Sequence, residues 1–312
     1  MRMGTFRAWT MLAALAAASG AQADGTAPPP VPCRLSRAAS LDTMTTAEGM
    51  IAVRGSVNGH DENFLIDTGG VGGTLGFSSA FQSRLTPQRA AMSDRFVGGT
   101  TLDYGANVAR FAVGPLNYPN MWFSIAPDRM LPADLVGSIQ PHIWNDLDVE
   151  IDFLNGKLNM FLQKQCPGHV VYWTRDAVAA VPMKVYPGGH ISVMAELDGK
   201  PIETFIDSGA QRSTMSLTMA KTLLGIDEKN PALKQLGTTS INYLVPAKTY
   251  RYPFQTVSLE GISIRNPDVL IVDTGPDPRE PPFILGIGAL RQLHLFIAYD
   301  ENVLYLTSAE AR

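Results

Sequence analysis

Apolar and polar residues alternate with the period of a strand over Ile51-Ala-Val53 and again over Ile191-Ser-Val193. Each run meets a two-residue turn signal, Asn58-Gly59 or Asp198-Gly199, the pair that a type I′ hairpin favours because both residues must take positive φ. Short apolar runs follow, Phe64-Leu-Ile66 and Thr204-Phe-Ile206, and predict return strands. Each return strand leads straight into Asp-Thr-Gly (67–69) or Asp-Ser-Gly (207–209). At an offset of 140 residues, the segments 49–70 and 189–210 overlay without a gap. Gly49, Ile51, Val53, Gly59, Ile66, Asp67 and Gly69 then meet identical residues, and the match runs on to Thr74 over Thr214. Further along, Leu135-Val136-Gly137 is set against Ile284-Leu285-Gly286. A helix-like stretch and a terminal hairpin follow each, over 149–160 and 295–306. The chain therefore reads as a duplicated β-rich unit. An N-terminal lobe is expected over 38–163, a polar linker over 164–177 and a C-terminal lobe over 178–312.

A different pattern opens the chain. Arg2 and Arg7 precede an apolar run from Ala8 to Ala18, and Ala21-Gln22-Ala23 offers a small-x-small cleavage site. This predicts a secretory signal peptide over 1–23. The Pro-rich residues 24–37 then read as an extended lead-in. The apolar run falls short of the ~20 residues that a span needs, and no later window reaches that length. A periplasmic or secreted chain without stable membrane insertion is expected. Cys33 and Cys166 are the only cysteines. In an oxidising compartment they favour a bridge, with two free thiols as the alternative.

Composition narrows the function classes. The 312 residues suggest two domains. Charged residues make up only 17%, which is the composition of a core-building chain. A net charge of −4 argues against a nucleic-acid partner. The five histidines form no HExxH spacing, and no metal or other cofactor is implied.

The duplicated Asp-Thr/Ser-Gly segments, each entered from a strand and followed by an apolar-apolar-Gly block, resemble the aspartic peptidases. Each half looks like a retropepsin-type lobe. With the signal peptide, the whole looks like the bacterial periplasmic aspartyl proteases built from two such halves in one chain. The resemblance implies an all-β, bilobal acid-protease fold: two homologous barrel-like lobes, short helices and a cleft between them. It implies a catalytic pair, Asp67 and Asp207, supported by the tight-turn Gly69 and Gly209 and by Thr68 and Ser208, whose hydroxyls bond across the two-fold axis. The implied function is an endopeptidase acting on exported or envelope polypeptides as a monomer. The alternative is a protease-like, catalytically silent peptide-binding protein of the periplasm.

Two neighbouring carboxylates suit this chemistry because like charges so close share a proton. One member takes a proton from water while the other hydrogen-bonds the substrate carbonyl; aspartic proteases are a standard illustration of that split. Pepsin-like enzymes usually carry Ser or Thr after the Gly, whereas here Gly70 and Ala210 stand there. That departure predicts a mildly acidic to near-neutral optimum. Gly98-Gly99 and Gly237 are candidate flap tips, and Tyr104 and Tyr243 candidate pocket closers, each equally readable as part of an ordinary hairpin. A third match, Asp273-Thr274-Gly275, stands only 13 residues before Gly286 and leaves no room for a lobe. A serine mechanism fails for want of a GxSxG elbow, and His60 and His190 read as surface residues.

Overall fold

In the computed structural model, residues 33–241, 245–277 and 279–311 are described. The expected signal peptide, residues 24–32 of the lead-in, and Tyr243 lie outside them. The N-terminal half comprises β1 (Arg37–Thr45), β2 (Ile51–Val57), β3 (His60–Ile66), β4 (Gly73–Gly76), helix α1 (Phe77–Gln82), β5 (Gln88–Arg95), β6 (Thr101–Val113), β7 (Leu116–Ala126), β8 (Gly137–Ile139), β9 (Leu147–Asp152) and β10 (Lys157–Leu162). The C-terminal half comprises β11 (Ala179–Val185), β12 (Ile191–Leu197), β13 (Lys200–Asp207), β14 (Ser213–Ser216), α2 (Leu217–Met219), β15 (Lys234–Ile241), β16 (Val245–Arg251), β17 (Thr256–Leu259), β18 (Ile262–Arg265), β19 (Val269–Val272), β20 (Phe283–Gly286), α3 (Ile287–Leu290), β21 (Leu293–Ala298) and β22 (Val303–Ser308).

The turn chemistry explains the first hairpin of each half. Asn58 and Gly59 have φ of 51° and 90°, and Asp198 and Gly199 have 50° and 75°, as type I′ turns require. The side chains finish the turns: Asn58 Oδ1 accepts the Arg110 amide at 3.0 Å, and Asp198 Oδ1 accepts the Thr256 amide at 2.8 Å. Alternation then buries one face of β2 and β12, with Val53, Val57, Val193 and Leu197 in the core.

Both halves repeat one pairing scheme. Strand β3 runs parallel to β8, β4 runs parallel to β7, and β4 and β8 are antiparallel neighbours. Strands β13, β20, β14 and β19 repeat this. Each lobe curls shut where β2 meets β6 and β12 meets β17. A six-stranded antiparallel sheet, β1–β10–β9–β21–β22–β11, runs beneath both lobes. Its central pair, β9 and β21, aligns Ile151 with Leu295 and so joins the two halves through backbone hydrogen bonds. Within it the buried Glu150 accepts from Asn159 at 2.9 Å and from Tyr172 at 2.7 Å, and pairs with His294 at 2.8 Å. The segment 164–177 forms neither strand nor helix. Its Val170 is buried and its Trp173 stacks on His294 at 4.0 Å. Cys33 and Cys166 form a disulfide with Cα atoms 5.5 Å apart.

The ladders correct one alignment made from sequence. Gly137 lies beside Phe64, and Phe283 lies beside Thr204, the repeat partner of Phe64. Ser138-Ile139-Gln140 therefore occupies the place of Ile284-Leu285-Gly286, three residues later than the glycine suggested. Gly137 is glycine for a separate reason: a Cβ there would lie 2.1 Å from the Thr74 carbonyl oxygen.

Candidate functional site

Asp67 follows β3 and Asp207 ends β13, so the parallel ladders deliver two equivalent loops to the floor of one cleft. The loops are locked together by their hydroxyls. The Thr68 amide donates to Ser208 Oγ at 3.1 Å, and the Ser208 amide donates to Thr68 Oγ1 at 2.9 Å. Each hydroxyl then donates onward, Thr68 Oγ1 to the Ile206 carbonyl at 2.8 Å and Ser208 Oγ to the Ile66 carbonyl at 2.7 Å. Both residues are buried, so these bonds replace hydration that would otherwise be lost. Engaged in this way, the Ser208 hydroxyl is no free nucleophile. His190 is not a surface residue either, being half-buried and stacked on Tyr186 at 4.9 Å.

Backbone amides cradle the carboxylates. Gly69 donates to Asp67 Oδ1 at 3.1 Å, and Gly209 and Ala210 donate to Asp207 Oδ1 at 2.8 and 3.1 Å. The two carboxyls lie side by side: a Cβ on Gly209 would come within 2.5 Å of Asp67 Oδ1 and 3.1 Å of Asp207 Oδ1. Each glycine also packs on the opposite carboxyl group. A Cβ on Gly69 would lie 2.3 Å from Asp207 Cγ, and one on Gly209 would lie 2.5 Å from Asp67 Cγ. Desolvation by burial pushes both carboxyls up, Asp67 well above the usual range with the charge of Asp207 adding to it, while amide donors restrain Asp207. Such a pair retains one proton where ordinary aspartates have none.

The cleft above the pair encloses about 1170 Å³ and takes its walls from both lobes. Met50, Leu65, Met215 and Ile284 make the inner wall largely apolar, and Asp94, Arg95, Arg212 and Glu280 supply charge. Burial raises Asp94, against the opposing hydrogen bond from the Ser124 hydroxyl.

The β5–β6 hairpin overhangs this cleft. Its tip closes through the Phe96 amide to the Thr100 carbonyl at 2.8 Å, with Gly98 and Gly99 at φ of 82° and 85°. The tip touches the other lobe. Arg95 pairs with Asp277, and the Gly98 amide donates to Glu280 Oε1 at 3.2 Å. Thr274 Oγ1 holds the other oxygen of Glu280 at 2.7 Å. The third Asp-Thr-Gly therefore roots the loop on which the hairpin tip rests. Asp273 is absent from the cleft lining, and by ladder register its counterpart in the first lobe is Pro127. The Arg279 guanidinium, with Arg95 also bonded, holds Asp277 well below the usual carboxylate range.

Two expectations need correction. Gly237 is not a hairpin tip: with φ of 135°, it sits at a register shift inside β15, and Thr238 and Thr239 line the cleft instead. Tyr104 does not close the pocket, because it is exposed on β6 and lines no part of the cleft.

A residue not anticipated from sequence enters the site from the end of β8. Gln140 is buried, and its Nε2 donates to Asp67 Oδ2 at 3.2 Å and to Ser138 Oγ at 3.0 Å. The misplaced apolar-apolar-Gly alignment hid it. The available signal was the glycine run from Gly69-Gly70 to Gly72-Gly73, which Gly209-Ala-Gln-Arg-Ser213 does not share. Among the described residues, no cluster of His, Cys, Asp and Glu suits a metal ion, and no helix is long and apolar enough to cross a membrane.

Comparison with known proteins agrees with this geometry. Residues 193–289 match a family model described as aspartyl protease. No match was found among curated proteins. Among solved structures, basic 7S globulin from soybean superposes with a TM-score of 0.53 at 13% identity, over 89% of this chain and 96% of that one. Conglutin gamma, a basic 7S globulin from lupine seeds, gives 0.51 at 11%, over 88% and 95%. The chain has the bilobal acid-protease fold.

Proposed function

We propose that this chain is an aspartic endopeptidase whose catalytic pair is Asp67 and Asp207. The observation that carries the reading is the pair itself: two adjacent carboxyls, cradled by amides, at the floor of a peptide-sized cleft. One carboxylate, ionised, draws a proton from a water placed between the pair and the scissile carbonyl. The partner, protonated, donates a hydrogen bond to the carbonyl oxygen as the tetrahedral intermediate forms. Because the pair titrates as a unit, the two roles belong to the dyad rather than to fixed residues. The glycine-tipped hairpin over the cleft supports closure on an extended peptide. The signal-like N-terminus and the disulfide support export and a substrate among exported or envelope polypeptides.

The test is cleavage of a diverse peptide library between pH 3.5 and 7.5, read by mass spectrometry. Asp67→Asn and Asp207→Asn are expected to abolish cleavage and Asp273→Asn to keep it. A folded wild-type chain that cleaves nothing across that range overturns the reading in favour of a peptide-binding protein.

A further inference from the structure

We infer that Gln140 is a positioning residue for the candidate dyad: its side-chain amide, aimed by Ser138, fixes the Oδ2 edge of Asp67 and makes the two carboxylates unequal. The inference rests on the reading of Asp67 and Asp207 as a working pair, and it names what distinguishes them.

The two lobes differ here in a coordinated way. Ladder register pairs Ser138 with Ile284 and Gln140 with Gly286 as equivalent positions. The second lobe has no room for a side chain at its position: a Cβ on Gly286 would lie 2.5 Å from the Arg212 carbonyl oxygen and 2.7 Å from that of Ala210. The first lobe makes room. Gly72, the equivalent of Arg212, takes φ of +127°, a conformation closed to most side chains. Gly70, the equivalent of Ala210, leaves empty the space that the Gln140 amide fills, since a Cβ there would lie 2.2 Å from Gln140 Cδ. Four differences, Gly70, Gly72, Ser138 and Gln140, thus serve one hydrogen bond. A core residue kept only for packing would need neither the Ser138 acceptor nor a glycine opposite its amide.

The Nε2 group has two hydrogens and finds two oxygens, Ser138 Oγ and Asp67 Oδ2. Both are spent, and the amide orientation is fixed by that match. Among the described residues, no side-chain amide or hydroxyl donates to Asp207, whose Oδ1 relies on the Gly209 and Ala210 amides. A donor to a carboxylate favours its ionised form. Gln140 therefore does from β8 what a hydroxyl at position 70 would do from the Asp-Thr-Gly loop. The other charged groups facing the dyad across the cleft are Asp94 and Arg95 of β5, Glu48 before β2, Arg212 before β14, and Glu280; all stay constant in the test.

Three variants of the full chain separate this role from packing. Gln140→Leu keeps the volume and removes the donor. Gly70→Ala/Gln140→Gly copies the Ala210/Gly286 pair of the second lobe and provides a donor-free chain should the leucine fail to fold. Gly70→Ser/Gln140→Gly returns a donor from the neighbouring position. Carboxyl ¹³C titration of the aspartates, assigned with Asp67→Asn, is read beside the pH profile of kcat/KM on a cleaved library peptide. Both donor-free variants are expected to raise the upper apparent dyad pKa, the step in which Asp67 gives up its proton, by about one unit, a tenfold change in proton affinity. The alkaline limb of kcat/KM should move up by the same amount, and the serine double variant should restore both. Folded donor-free variants that titrate as wild type overturn the inference, as does a serine variant that restores nothing. A titration shift in a chain that cleaves no peptide would sink the endopeptidase reading and leave the positioning role standing. Normal cleavage without a shift would do the reverse.

Discussion

Ser208→Ala tests whether the hydroxyl lock holds the two halves of the site in register. The substitution removes one oxygen and strands two groups: the Thr68 amide loses its acceptor and the Ile66 carbonyl its donor. Both residues are at most 1% exposed, so water cannot replace the lost partners without a local opening. A stranded buried donor costs about 1–3 kcal/mol, and a carbonyl with a second lone pair falls at the low end. Together they predict about 2–4 kcal/mol, measured as the shift in urea midpoint at constant slope. In a chain this long, that corresponds to a fall in Tm of roughly 3–7 °C. Thr68→Val removes the two mirror-image bonds, at 2.9 and 2.8 Å, and should cost a similar amount. An exposed control on β1, Ser40→Ala, should stay within about 0.5 kcal/mol. If the chain is the endopeptidase proposed, Ser208→Ala should also lower kcat more than it raises KM, because the carboxylates lose alignment rather than the cleft its walls. A Ser208→Ala chain as stable as the exposed control would refute the reasoning, since it would mean that the lock carries no free energy.

Gly69→Ala should abolish peptide cleavage while leaving the far-UV spectrum unchanged, because its Cβ meets the Asp207 carboxyl at 2.3–2.7 Å. Asp277→Asn removes the ion pair to Arg95, and amide exchange over residues 95–100 should quicken severalfold at low salt and little at high salt. Asp148, buried with Oδ1 on the Tyr299 amide, is pushed up to about 6 chiefly by desolvation. A raised carboxyl favours the neutral form in the folded chain, so its contribution is complete below about pH 4 and is lost as pH rises through 6. Asp148→Asn should then match wild type at pH 4 and exceed it by about 1–2 kcal/mol at pH 7, after discounting for solvent screening; an equal difference at both pH values would contradict this. Replacing both Cys33 and Cys166 by Ser reopens a separation of 133 residues and should cost about 5 kcal/mol on the loop-entropy model, read by urea denaturation against the oxidised chain.

Local chemistry was enough to read much of this protein from its sequence. The Asn58-Gly59 and Asp198-Gly199 turns, the alternation in β2 and β12, and the strands entering Asp67 and Asp207 follow from φ preferences and burial within a few residues. Duplication extended that local reading to the whole chain, because two copies of one hairpin at a fixed offset imply two copies of one lobe. Tertiary structure decided what depends on distant neighbours. Parallel pairing of β3 with β8 brings Gln140 to Asp67 across 73 residues of sequence, and it takes a ladder, not a spacing, to show that Gln140 and not Gly137 is the partner of Gly286. The hairpin tip at Gly98 finds Glu280 182 residues away. Nothing near either residue announces that contact, since a hydrogen bond between lobes depends on how the lobes face each other. The third Asp-Thr-Gly shows the same division. Its residues were legible as a motif, but β19 runs beside β14 rather than into the dyad, and only that placement lets Thr274 anchor Glu280 against the hairpin tip.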